Sequence, residues 1–213
     1  MANILSSEQK IKNASKIAQI ALDLFEKQSY NQISMNEIAQ KAGVSKGTLF
    51  NYYKNKEDLF MSLLLKGYQS YFEQLILNLK LVSLKSKKEV KEFLLNEIDS
   101  LLDNYRSLVR LNALRGPIFE GKANQKLTQE NRTLLYQKSS QVSELIVQQV
   151  KDLNVEQLNH IFVIESAIIS GLLNLDGLEE FRGRATGQNL PAFRIDIRAE
   201  AKRVLSGYLD GEL

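Results

Sequence analysis

The chain has no cysteine, no tryptophan, a single histidine and two prolines among 213 residues. Without cysteine there can be no disulfide and no thiolate metal ligand. A small secreted scaffold held by staples is therefore excluded, and the reducing cytoplasm is the expected setting. One histidine, His160, is too few for an HExxH pair or a Cys/His zinc set, and a Ser-His-Asp arrangement would have to be built on it alone. The stretch "GRATG" follows no strand and forms no GxGxxG, so it is no phosphate loop. Counting leaves only carboxylate chemistry open, and the expectation is a protein that is not an enzyme and carries no metal or cofactor. Scarce proline, abundant Leu, Ile, Ala, Gln, Glu and Lys, and little strand-like alternation predict an all-α fold.

Long apolar runs are also missing. The N-terminal "MANILSSEQK" lacks a signal core, and uninterrupted apolar runs such as Ile161 to Ile164 fall far short of the ~20 residues that span a bilayer, so no membrane partner is expected. The net charge of +3 is too small for a wholly basic coat. Its placement must matter more than its total.

Periodicity and caps give about nine helices. Residues 8–27 show an amphipathic stripe at Ile11, Ala14, Ala18, Ala21 and Phe25, widened by Ile17 and Leu22. Ser34-Met-Asn-Glu37 is a capping box that opens a second helix, which Gly43 ends in a sharp turn. Ser45 caps a third, short helix with few apolar positions. Asn55-Lys-Glu-Asp58 launches a fourth, to about Leu81. Further helices are predicted at about 87–104, at 106–114 stopped by Gly116-Pro117, at 123–152, at 155–175 and at 195–210, with a loop at 176–194. Met35, Ile38, Val44, Leu49 and Leu59 are the expected core of the first unit.

A capped helix, a glycine turn and a short capped helix with a polar outer face form the helix-turn-helix pattern, whose second member enters a DNA major groove. Charge agrees. Lys41 to Lys56 holds four lysines and no acid, whereas residues 1–60 carry eight lysines against six acids. Ile17 to Leu59, and above all "SMNEIAQKAGVSKGTLFNYYKNKEDLF", resembles the N-terminal domain of the tetracycline-repressor (TetR) family. That resemblance implies that Ser34 and Lys46 contact the DNA backbone, that Thr48 and Asn51 face the groove, and that Tyr52 and Lys56 meet phosphate. Ser45 caps the reading helix, and Gly47 lets its end approach closely. Phe50 replaces a usual tyrosine and suits a thymine methyl. Tyr53 replaces a usual buried phenylalanine, so its hydroxyl must reach the surface or find a partner. Ser29 replaces a glycine before Tyr30, where the turn is expected to differ.

The expected division is a helix-turn-helix DNA-binding domain at 1–56 and a helical ligand-binding and dimerisation domain at 57–213. One short helix reads few base pairs, so a homodimer on a palindromic double-stranded operator is expected. The run at 161–175 is apolar almost all round, with small Ala167 and Gly171 one turn apart, and the resemblance implies pairing through 155–175 and 195–210. It also implies a pocket for a small-molecule effector, of unknown identity, among the middle helices. Tyr105, Asn112 and Tyr136 could line it or be core or surface. Glu165, the only ionisable residue in the apolar run, needs an arginine partner, a wet cavity or an exposed position, and is a candidate effector ligand. His160 is given no role. The expected function is a transcriptional repressor released from DNA by its effector; an activator or an effector-independent DNA binder is the alternative.

Overall fold

The computed structural model describes residues 7–176 and 195–213; from residue 177 on, the loop expected at 176–194 lies outside them. Among the described residues there are nine α-helices and no strand: α1 (Ser7–Lys27), α2 (Met35–Ala42), α3 (Lys46–Tyr52), α4 (Lys56–Leu79), α5 (Lys87–Asn104), α6 (Arg106–Leu114), α7 (Gln125–Gln149), α8 (Val155–Asp176) and α9 (Ile197–Glu212). The helices α2, α3 and α4 each start where a side chain satisfies an orphan N–H. Ser34 Oγ accepts from Glu37 N at 3.1 Å, Ser45 Oγ from Thr48 N at 3.0 Å and Asn55 Oδ1 from Asp58 N at 2.6 Å. The capping box at Ser34 is only half made. The Glu37 carboxylate, expected to reach back to the Ser34 N–H, instead accepts from Gln28 Nε2 at 3.1 Å and pairs with Lys41 at 3.4 Å. Gly43 ends α2 at φ +65°, the left-handed backbone that glycine adopts without a Cβ penalty.

Ile38, Leu49 and Leu59 are fully buried at the centre of α1–α4, while Met35 and Val44 are half-buried against them. Each full burial contributes ~1.5–3 kcal/mol, enough to hold the seven-residue α3, which would be unstable alone. The Tyr53 hydroxyl finds a partner in Ser62, which answers the polar atom its ring brings inward. At Ser29 the chain makes a 3₁₀ turn, Tyr30–Gln32, with the Gln32 carboxamide oxygen accepting from Ser29 N at 3.1 Å.

The remaining helices form a bundle in which α4 packs along α7, and α8 lies against α6, α7 and α9. α6 does not stop at Gly116-Pro117. It runs into a π turn, Arg115–Phe119, closed by Glu120 N to Arg115 O at 2.9 Å. Pro117 lies inside this continuous run, where its nitrogen has no N–H to give to a carbonyl of α6. α4 ends at Leu79 rather than Leu81, and α7 covers 125–149 rather than 123–152 because Asn124 caps its start through Leu127 N. Arg198 and Lys202 of α9 pair with Asp99 of α5, and Arg198 also with Asp103, holding both acids below their ordinary range. α8 exceeds the expectation drawn from unbroken runs. Its interruptions are mostly uncharged, so Val155–Leu175 is long and apolar enough to cross a membrane by length and composition, although here it packs on three neighbours.

Candidate functional site

α3 presents its outer face without cover. Ser34, Ser45, Lys46, Gly47, Phe50 and Asn51 are exposed and Thr48 is half-buried, while Leu49 alone is turned fully inward. The Ser45 hydroxyl lies 2.8 Å from Thr48 Oγ1, which fixes that side chain at the start of the helix. Lys46 Nζ lies 5.8 Å from the centre of the Phe50 ring, so the cation and the apolar ring share one exposed face. A Cβ on Gly47 would meet only Ser45 Oγ at 3.8 Å, an ordinary contact. Nothing among the described residues requires glycine there. The lysine count thins on inspection: Lys41 is paired with Glu37, leaving Lys46 and Lys54 as exposed cations beside α3.

Two expected contacts are placed differently. The Lys56 ammonium donates to the Tyr30 and Ile33 carbonyls, each at 2.8 Å, and lies 3.9 Å from the Tyr30 ring centre. Partial burial lowers its pKa. In this geometry it ties α4 to the turn before α2. The Tyr52 hydroxyl is buried without a hydrogen-bond partner among the described residues, in a cleft of about 210 Å³ that Asp58, Ser62, Asn124 and Asn131 also line. A phosphate bond from Tyr52 requires that hydroxyl to leave the cleft. One residue escaped the sequence reading. Lys16 Nζ lies 3.5 Å from where a Cβ on Gly43 would sit, bringing a cation from α1 beside the turn. Its place on an exposed face of α1 gave no signal by itself.

A second cavity, about 410 Å³, opens between α4, α6, α7 and α8. Leu64, Leu65, Phe72, Leu135 and Phe162 give it apolar walls, and Asn112, Arg115, Ser139, Asn159 and Ser166 place polar groups around them. Asn112 Nδ2 donates to Ser166 Oγ at 2.8 Å and Ser170 Oγ at 2.7 Å, fixing α6 on α8. Of the three polar candidates, Asn112 and Tyr136 line this cavity, whereas Tyr105 stacks edge-on with Tyr71, ring centres 5.2 Å apart. Glu165 does not line it.

Glu165 is 3% exposed, and its Oε1 has no hydrogen-bond partner among the described residues. The arginine pairing considered from the sequence is not formed with any described residue. Instead burial first, then the negative charge of Glu97, push its carboxyl up to about 8. Glu97 is raised by burial too, against the pull of the Tyr71 hydroxyl, which donates to it at 3.2 Å. His160 is exposed beside Tyr208, ring centres 6.5 Å apart. Among the described residues no group of three or more His, Asp or Glu is arranged to hold a metal ion.

Residues 17–63 match the family described as bacterial regulatory proteins, tetR family. The fatty acid metabolism regulator protein of Bacillus subtilis (strain 168) is 32% identical over 68 residues, 32% of this chain and 35% of the relative. An HTH-type transcriptional regulator of Staphylococcus aureus (strain bovine RF122 / ET3-1) is 34% identical over 64 residues, 30% of this chain and 35% of the relative. The matched stretch thus spans about a third of the length of these curated relatives. The whole fold is shared with the transcriptional regulator FadR from Bacillus subtilis, solved in complex with stearoyl-CoA, with a TM-score of 0.59 at 17% identity over 93% of this chain and 98% of that one. A TetR-family transcriptional regulator from Streptomyces coelicolor overlays with a TM-score of 0.53 at 16% identity, over 96% and 99% of the two chains. Residues 17–63 thus match the tetR family of bacterial regulatory proteins in sequence, and the fold as a whole is the one these solved regulators share along nearly their full length.

Proposed function

We propose that the protein is a homodimeric, cytoplasmic transcriptional repressor that binds a palindromic double-stranded operator and leaves it when a small-molecule effector fills the 410 Å³ cavity. The observation that carries this reading is α3: a short helix, capped by Ser45 and anchored by one buried leucine, whose outer face exposes Lys46, Gly47, Phe50 and Asn51. Residues 1–56 form the reading unit and 57–213 the effector and pairing unit. Ser34, Ser45, Lys46 and Lys16 meet the DNA backbone; Thr48, Phe50 and Asn51 face the groove, with Gly47 allowing close approach. Lys56 reaches phosphate by leaving the Tyr30 and Ile33 carbonyls, and Tyr52 by swinging its hydroxyl out of the 210 Å³ cleft. Two copies pair through α8 and α9, which sets their reading helices ~34 Å apart or a multiple of that. Effector binding releases DNA only insofar as the ligand prefers the non-binding geometry. The similarity to regulators of fatty acid metabolism makes long aliphatic compounds the first effectors to test.

The test is selection of bound fragments from the host genome, followed by titration of the retained fragment. Binding should weaken steeply with salt. Lys46→Ala should reduce affinity for every fragment and lower the log-log salt slope by about 1, whereas Asn51→Ala should cost ~1–3 kcal/mol on the selected site and relax its sequence preference. A chain that retains no fragment at low salt would refute the reading.

A further inference from the structure

The segment joining α6 to α7 touches both units. Arg115, at its start, lines the 410 Å³ cavity. Its Nε donates to Glu120 Oε2 at 3.2 Å, and Arg132 of α7 donates to Glu120 Oε1 at 2.5 Å. Two guanidinium groups therefore share one carboxylate. That carboxylate is 43% exposed, Arg132 is 18% exposed, and the buried Arg132 Nε has no hydrogen-bond partner among the described residues. The positive charge is in excess, and the pair of arginines can accept a further or a replacement anion in bidentate geometry.

The same segment then reaches the base of α4. Phe119 is fully buried with its ring centre 5.3 Å from Tyr30 and 6.4 Å from Phe60. Asn55 Nδ2 donates to Lys122 O at 3.2 Å, Asn124 N donates to Asp58 Oδ1 at 2.5 Å, and Lys122 pairs with Glu57 at 3.7 Å. Within ten residues the chain passes from the cavity wall to the cap of the helix that carries the reading unit.

We propose that the effector is an anionic amphiphile whose acidic head displaces Glu120 from Arg115 and Arg132, while its aliphatic part lies on the Leu64, Phe72, Leu135 and Phe162 walls, and that release of Glu120 loosens residues 119–124 from α4. This deepens the effector reading above and rests on it. The displacement exchanges one carboxylate for another, so no charge is left uncompensated. A neutral head cannot make that exchange.

The experiment compares octadecanoate, its coenzyme A thioester and octadecan-1-ol for direct binding and for release of the selected DNA fragment, with the full chain and with Glu120→Gln and Arg132→Met. Octadecanoate and the thioester should release DNA, and the alcohol should bind at least tenfold more weakly than the better acid. Which acid is the better one separates a free carboxylate from a phosphate-bearing carrier. Glu120→Gln, which removes the internal competitor, should tighten acid binding several-fold and leave alcohol binding unchanged; Arg132→Met should weaken acid binding about tenfold. If acid and alcohol release DNA equally, or Glu120→Gln leaves acid affinity unmoved, this assignment is overturned while effector release stands. If none of the three binds the folded chain, the assignment falls; if DNA binding persists unchanged across other ligand classes as well, the effector reading falls with it.

Discussion

Glu165 is the residue whose environment makes the sharpest demand. A carboxyl 3% exposed, facing Glu97, Tyr68 and Tyr71, is held neutral in the fold, with its pKa raised from 4.5 to about 8. In the unfolded chain it loses its proton near pH 4.5. Between these two values the native state binds the extra proton, so stability falls as pH rises from about 4.5 to about 8 and then levels off; below the unfolded value the group contributes no slope. The loss is on the order of 5 kcal/mol over that window. Glu97, raised in the same direction, adds to the slope. Glu165→Gln keeps the shape without the titration, so denaturant unfolding at pH 5.5 and pH 8 should differ less in the variant than in the parent. Equal differences would mean that the carboxyl is charged and solvated in the native state.

At the scale of elements, α3 separates folding from reading. Ser45→Ala removes the Thr48 N–H acceptor and should cost ~1 kcal/mol. Ser45→Asp keeps an acceptor and favours the helix dipole, so the melting temperature should hold or rise, yet it places a negative charge where phosphate is expected and should abolish retention of the selected fragment. If Ser45→Asp binds DNA as well as the parent, α3 does not face the phosphates. The helix was legible in sequence because Ser45, Gly43 and Asn55 are local signals that act within three or four residues. The π turn was not, since it depends on Phe119 finding Tyr30 and Phe60 across the chain. The cavity was legible only in Asn112 and Tyr136, because its walls come from four helices and no periodicity marks a gap between them. Lys56 and Tyr52 were recognised as important positions, but whether a long side chain points outward or folds back on carbonyls is decided by tertiary neighbours.

For the whole molecule, the surface left open on α8 and α9 among the described residues bears on the proposed pairing of two copies. Along α8, His160, Ala167, Gly171 and Leu175 are exposed and Ile164 and Ile168 half-buried, a stripe at helical spacing; Val204 and Gly207 are exposed on α9. Helices carrying small residues on such a stripe can approach closely, and water is expelled from apolar area on both copies. A Cβ added at Gly171 meets nothing within 4 Å among the described residues, so a side chain can start there without a clash at its base. Gly171→Arg should therefore keep the thermal stability of the isolated fold within about 1 kcal/mol, apart from the small helix propensity gain. In the proposed pair the same arginine meets its symmetry mate across a dry seam, and the two like charges should part the copies. Sedimentation at micromolar concentration should show a dimer for the parent and a monomer for the variant. Operator affinity should fall by about 10² or more, because the second half-site is no longer bound at a high effective concentration. A variant that stays dimeric with undiminished operator affinity would place the pairing surface elsewhere on the molecule, and the spacing of the reading helices would then have to be set by a different pair of helices.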